Sequence, residues 1–197
     1  MIVGLTSSSG SGKSTVSKVF GRNGFAVLDL DKVSRNVASV GSACLCEIKD
    51  FFGDTVILPD GSLNRKGLGE IVFNDKEKLD VLTRITHKYI LKEMEDFISN
   101  TEGDILLDAP LLFEANVDKR CDFNIAVLCD HQTQIKRIAL RDGITEEIAK
   151  ARLEKQHSNE FFIENCDYCI DNFGDESQLI SKAESLIRTL KREGTDD

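Results

Sequence analysis

Gly4-Leu5-Thr6-Ser7-Ser8-Ser9-Gly10-Ser11-Gly12-Lys13-Ser14-Thr15 lies almost at the start of the chain, and its reading decides the fold. Met1 to Leu5 reads as a short apolar strand. Ser14 to Phe20 opens a helix with Val16, Val19 and Phe20 on one face. A loop of small residues ending in Gly-Lys-Ser joins them. Strand, glycine-bearing loop and helix in that order make a phosphate-binding loop, or P-loop. Successive backbone N–H groups of such a loop point inward and form a concave anion site. The helix N-terminus adds unpaired donors and partial positive charge. Lys13 supplies a cation for the outer phosphates, and the Ser14 hydroxyl is a hard oxygen suited to Mg²⁺. The candidate nucleotide-binding residues are therefore Ser9, Gly10, Ser11, Gly12, Lys13, Ser14 and Thr15. The strict pattern wants glycine five residues before Gly12, where this chain has Ser7. A β-carbon restricts the backbone at that position.

Outward from this stretch, composition sets bounds. The 197 residues suit one domain with room for an inserted lobe, and 41% are hydrophobic, enough for a core. The formal charge is −9, which argues against a nucleic-acid backbone as partner. A phosphate ligand is compatible with it, because a P-loop uses local donors. No apolar run approaches the ~20 residues that span a bilayer, and no leader pattern precedes the first strand. The expectation is a cytoplasmic protein with no membrane partner, acting on small molecules as a monomer or small homo-oligomer. The six cysteines include a Cys166-Asp-Tyr-Cys169 pair of zinc-like spacing, but there is no second matching pair. They read as structural or incidental thiols in a reducing compartment.

Along the chain, Gly21 and Gly24 stop the first helix. Phe25 to Leu30 is a second strand leading into Asp31, and a helix follows from about Lys32 to Val40. Helices are expected over Leu45–Phe52, Leu63–Phe73 and Asp75–Asn100, separated by a Pro59-Asp60-Gly61 turn. The absence of a strand between the second strand and residue 103 marks an inserted helical lobe, since a crossover needs only about a dozen residues. Asp104–Asp108, Phe123–Cys129 and Tyr168–Asp171 are the remaining strands. Helices are expected over Thr133–Arg141, from Thr145 (as N-cap) to about His157, and over Glu176–Arg192, with Glu193–Asp197 a frayed polar tail. The fold class is α/β: a doubly wound, five-stranded parallel sheet of P-loop NTPase type with right-handed crossovers. The expected division is a core of 1–31, 103–130 and 167–197, a helical lobe 32–102 and a lid 131–166.

In such sheets ligands sit at the carboxyl ends of strands, so the P-loop, Asp31 and Asp108 are expected to converge on one crevice. Phosphoryl transfer needs phosphate positioning, a metal, charge neutralisation and an oriented nucleophile. Asp108, ending an apolar strand, is a candidate metal carboxylate, or else a cap for the turn before Pro110. Asp31 is a candidate base for a substrate hydroxyl, or an N-cap for the following helix. Arg137 and Arg141 lie four apart on one helix face, suiting a lid that closes on ATP, or a solvated salt-bridged face. His87 sits among apolar neighbours of the long helix, where a half-buried histidine is the plainer reading.

Taken together, these segments resemble the dephospho-CoA kinase family. The resemblance runs from Gly4 to about Gly174. It rests on the P-loop, on Leu28-Asp-Leu-Asp31 with Arg35, on Gly61-Ser-Leu63-Asn-Arg65 with Val72-Phe73, and on Ile85-Thr-His87. It continues in Asp108-Ala-Pro110-Leu111-Leu112-Phe-Glu114, in Gln134 to Arg141, in Gln156 and in Asp171-Asn172-Phe-Gly174. A P-loop alone is common to many proteins; these segments in this order are specific. The resemblance implies ATP-dependent phosphorylation of the ribose 3′-hydroxyl of dephospho-CoA. Asp31 would be the base, with Lys13, Arg141 and Mg²⁺ on the phosphates and Ser14 and Asp108 at the metal. Arg137, Asn172 and Gly174 would belong to the nucleotide site. Arg35, Arg65, His87, Pro110, Leu111, Leu112 and Glu114 would meet the acceptor, and the helical lobe would bind CoA. The chain departs from the family pattern at Ser7 and Ser8, which replace glycines, and at Lys88, where proline commonly follows the histidine. It also lacks a basic residue in Glu160 to Cys166. Another small-molecule P-loop kinase would share the loop and the Asp31 base but would leave Asp108 to Glu114 unexplained. A GTPase reading lacks an Asn-Lys-x-Asp segment.

Overall fold

A computed structural model of the chain describes residues 1–73 and 75–193. Residues 194–197, most of the expected polar tail, lie outside the described residues. The strands are β1 (Ile2–Thr6), β2 (Ala26–Asp29), β3 (Ile105–Asp108), β4 (Phe123–Leu128) and β5 (Tyr168–Asp171). They form a five-stranded sheet in the order β2-β3-β1-β4-β5. β1 pairs parallel with both β3 and β4, and β4 with β5, so the sheet grows outward from the strand that feeds the P-loop.

Period-two alternation explains the two faces. Val3, Leu5, Leu106, Ile125, Val127 and Ile170 point to one side, into a core shared with Val16, Val19 and Phe20 of α1 (Lys13–Arg22). Leu179, Ala183, Ile187 and Leu190 of α9 (Glu176–Glu193) complete it at helical spacing. Ala126 and Leu128 point to the other side, against Phe162 of α8 (Asn159–Asn165). Gly4 has no room for a side chain: a β-carbon there would come within 2.9 Å of Leu112 Cδ1 and Cys121 Sγ. α6 (His131–Asp142) and α7 (Glu146–Leu153) pack through their own small core of Ile135, Ile138, Ala149 and Leu153.

The chain divides into two compact units, one of residues 1–28 and 101–197 and one of residues 29–100. The second holds α2 (Leu30–Asn36), α3 (Ala43–Phe52), α4 (Arg65–Phe73) and α5 (Lys76–Asn100). Leu45, Ile48, Val56, Leu68, Val72, Ile85 and Met94 are among its buried apolar residues. Lys88, the residue in place of the family proline, ion-pairs with Glu47 of α3 at 2.8 Å, and the Tyr89 hydroxyl donates to the same carboxylate at 2.7 Å. The departure therefore ties α5 to α3.

Several sequence expectations change. The helix after β2 starts at Leu30, not Lys32, and ends at Asn36 rather than Val40. Its N-cap is Asp29, whose carboxylate accepts from the Lys32 N–H at 3.0 Å. Asp31 lies in the first turn, which removes the reading of Asp31 as a cap. The region read as wholly helical contains one antiparallel bridge, Ile57 to Leu63, around the turn at Asp60–Gly61. Thr145 caps α7 as expected, but α7 stops at Leu153 instead of running to His157. Ser158 then caps the separate helix α8, its hydroxyl accepting from the Phe161 N–H. Leu79, in the first turns of α5, is exposed.

Candidate active site

The site begins with what α1 lacks. Its N-cap is Gly12, in the left-handed region at φ 101°, with no side-chain cap and no acid in the first turn. The first-turn N–H donors of a helix have no partners within the helix itself. Here no side chain takes their place: the Thr15 N–H turns to the Gly12 carbonyl at 3.0 Å, and the donors before it are available to an anion. Only glycine adopts that φ without strain. Ser11, 1% exposed, has a buried hydroxyl without a hydrogen-bond partner, an orphan in the same loop. A buried polar atom without a partner is costly, and a phosphate oxygen would satisfy it. On both counts the loop fits a polyphosphate.

β3 delivers Asp108 beside β1, in register with Leu5. Asp108 is 6% exposed, and its carboxylate ion-pairs with the Lys13 ammonium. In the turn that follows, the Thr6 hydroxyl donates to the Pro110 carbonyl at 3.3 Å. Ser14 is exposed in the first turn of α1. Ser14 and Asp108 supply a hydroxyl and a carboxylate, a donor set suited to Mg²⁺, which binds through one or two protein oxygens together with phosphate and water. The residues fit the ion. Among the described residues no cluster of three or more His, Cys, Asp or Glu could hold a metal by itself.

Side chains from distant elements hold the loop. The Gln134 amide nitrogen donates to Ser8 Oγ at 2.6 Å and to the Ser9 carbonyl at 3.0 Å. The Gln156 carbonyl accepts from the Ser9 N–H at 2.7 Å, and its amide donates to Ser9 Oγ at 3.0 Å. Arg137 donates to the Gly10 carbonyl at 3.2 Å, and Asn172 to the Ser11 carbonyl at 2.7 Å. Thr15 Oγ1 donates to Glu176 at 3.4 Å. Arg137 and Asn172 are thus brought to the loop. Gln156 was visible in the sequence only as part of the resemblance, and Gln134 only as part of the lid stretch. Nothing local marked either as a partner of the loop.

Arg141 is placed differently. It makes a bidentate pair with Asp142, at 2.7 and 3.1 Å, and Arg152 joins the same carboxylate at 3.1 Å. The Arg141 hydrogen bonds hold the Asp142 carboxyl below its usual range, and Asp142 in turn raises the guanidinium. Cys129 is buried beside Arg137; burial pushes its thiol up, and the Arg137 charge opposes this only in part. Cys121 and Cys166 are pushed to about 12, mainly by burial. Those thiols stay protonated at neutral pH and are poor nucleophiles or metal ligands.

The acceptor candidates fall in both units. In the first, Leu111 and Glu114 are exposed and Pro110 is half-buried, whereas Leu112 is fully buried beneath Gly4. Leu112, expected at the substrate, is a core residue, because an apolar side chain facing a strand glycine fills the space the glycine leaves. Glu114 pairs with His157 at 3.2 Å, a partner the sequence did not suggest. Gly174 is exposed in the turn before α9. In the second unit, Asp31 is exposed, Arg35 Nε donates to the Asp31 carbonyl at 3.2 Å, and Arg65 donates to the Arg35 carbonyl at 2.6 Å. These three form one polar cluster. His87 is half-buried on α5.

Comparison with known proteins places the chain in a family. The model of the CoaE family, dephospho-CoA kinase, matches residues 1–178. The chain is similar to the dephospho-CoA kinase of Fusobacterium nucleatum subsp. nucleatum, 39% identical over 193 residues, covering 96% of this chain and 98% of that protein. It is similar to that of Listeria innocua, 40% identical over 192 residues, covering 95% and 94%. Among solved structures it is similar to the dephospho-CoA kinase from Campylobacter jejuni, with a TM-score of 0.72, 26% identity and 98% of each chain covered.

Proposed function

The chain belongs to the dephospho-CoA kinase family, and from that premise we propose how its residues carry the family's reaction. The reaction transfers the γ-phosphoryl of ATP to the ribose 3′-hydroxyl of dephospho-CoA, giving CoA and ADP. The observation that carries the reading is the uncapped N-terminus of α1, with Lys13 beside Asp108 at the end of the neighbouring strand.

The loop amides and the α1 N-terminus hold the phosphates, and Lys13 exchanges its Asp108 partner for phosphate oxygens. Asn172 and Gly174 flank the nucleotide. Asp31 takes the proton from the 3′-hydroxyl as the new P–O bond forms and the bond to the β-phosphate oxygen breaks, with ADP leaving. Arg35, Arg65, His87, Pro110, Leu111 and Glu114 orient the acceptor. Arg137 and, once released from Asp142, Arg141 neutralise charge on the transferring group. Ser14 and Asp108 would hold Mg²⁺, which when bound neutralises phosphate charge. Residues 32–102 form the CoA-binding lobe, 131–166 a lid, and 1–31, 103–130 and 167–197 the core. The enzyme works in the cytoplasm on small molecules as a monomer or small homo-oligomer. The formal charge of −9 supports the absence of a nucleic-acid partner.

The test is ADP release from Mg·ATP with dephospho-CoA against a panel of nucleosides and nucleotides. The expected result is turnover with dephospho-CoA to a product indistinguishable from CoA, abolished when the 3′-hydroxyl is replaced by hydrogen. Turnover confined to a nucleoside or nucleotide overturns the assignment.

A further inference from the structure

We propose that Gln156, backed by Gln134, is a positioning residue that fixes the phosphate loop through Ser8 and Ser9. This rests on the reading of that loop as the ATP site. Glycines at the Ser8 position would leave nothing for a side chain to grip. In this chain both serine hydroxyls are taken: Ser8 Oγ by Gln134 and Ser9 Oγ by Gln156. Gln156 grips Ser9 at two points, accepting from its N–H and donating to its hydroxyl, which fixes both the peptide plane and the side-chain torsion. Gln134 is 3% exposed and bridges the Ser8 hydroxyl and the Ser9 carbonyl, so the grip continues into the residue before. A loop serine without such a partner turns its hydroxyl to nearby backbone and offers the loop other conformations.

The gripping residue is itself anchored. Gln156 lies in the short connection between Leu153, the end of α7, and the Ser158 cap of α8. Its neighbour His157 stacks on Phe161, with ring centroids 3.7 Å apart and planes 9° from parallel. His157 Nε2 also stands 3.2 Å from Glu114 Oε1. The break between α7 and α8 thus presents one amide to the loop from a held position. A loop that samples several shapes binds ligand with an apparent affinity reduced by the fraction of time it spends in the competent one. Gln156 touches none of the groups proposed to do chemistry. Its loss therefore weakens ATP binding and leaves the chemical step alone.

The experiment measures ATP binding by calorimetry and steady-state kinetics on the full chain. Gln156→Ala is expected to raise the ATP Kd and KM about tenfold, with kcat within about threefold and KM for dephospho-CoA unmoved. Ser9→Ala, a milder change that removes only the hydroxyl bond, is expected to raise both about threefold. Combined, the two are expected to fall short of the product of the single effects, because they remove one shared bond. An ATP Kd within twofold of wild type in Gln156→Ala overturns the proposal. So do effects that simply multiply, or a fall in kcat with a rise in both KM values that tracks a lower Tm. If Gln156→Ala does not fold, Ser9→Ala decides: an ATP Kd unchanged from wild type overturns it. The binding measurement needs no acceptor. Failure of dephospho-CoA to turn over therefore strikes the kinase assignment and not this one, while a wild-type protein that does not bind ATP overturns both.

Discussion

β1 and β4 lie side by side, and each feeds a helix at the same edge of the sheet, yet the two helices begin in opposite ways. After β4, Asp130 closes α6, its carboxylate accepting from the Thr133 N–H at 2.8 Å. After β1, Gly12 closes α1 with no side chain on the free donors. A side-chain cap typically stabilises a helix start by about 1 kcal/mol, and α1 forgoes it. The α6 start is what folding alone would select. The α1 start keeps its donors for a ligand. The binding site is therefore legible as a place where the chain left local stability unused, and the elements gripping residues 8–11 from outside hold the uncapped loop in shape.

The strongest way to break this contrast is Lys13→Ala. It removes the cation at the uncapped end and leaves Asp108 buried without its partner. A loss of about 10⁴ in kcat/KM is expected, shared between ATP binding and turnover; near-normal ATP binding in this variant would deny the loop its role. Asp31→Asn separates binding from chemistry. A drop in kcat of roughly 10²–10⁴ with ATP affinity almost intact is expected. Activity within a few-fold of wild type would leave Asp31 without a catalytic part, and the cap explanation is closed because Asp29 holds that position.

Asp130→Ala tests the other side of the comparison. It should lower Tm by roughly 2–4 °C with kcat within about twofold. Its pH dependence has a definite sign. Hydrogen bonds from Thr133 hold the Asp130 carboxyl below its usual range in the folded chain. Its contribution is therefore present above the unfolded carboxyl range, near pH 4, and is lost as pH falls through the lower folded value. The Tm gap between wild type and variant should close below about pH 4; a gap that widens there contradicts the cap. Ser7→Gly should move ATP affinity by less than about twofold, since the loop is gripped at residues 8–11. A collapse of activity would give Ser7 a part of its own.

How much of this was readable from sequence varies by residue. The strand, loop and helix around Lys13, and Thr145 as a cap, follow from local pattern and were found where the structure has them. Asp29 was missed as a cap although it stands three residues before the N–H it accepts, because Asp31 two residues later offered the same signal. The stop of α7 at Leu153 was missed because Lys155-Gln156-His157 carries no breaker, and Ser158, the cap of the next helix, was the one available sign. Leu112 was assigned to the substrate because a motif records which residues recur and not which way each one faces.

The sequence by itself determined the α/β class, the phosphate loop and the family, because these rest on interactions within about twenty residues or on the order of short motifs. Tertiary structure alone decided which side chains reach the loop. Gln134 and Gln156 meet serines 126 and 147 residues away along the chain. The same folding sent Arg137 to the loop and Arg141 to Asp142, although the two stand one helical turn apart on the same helix. Local pattern cannot separate such a pair, because a helix face is readable from spacing, whereas what stands opposite that face is set by strand order and by the packing of helices on the sheet.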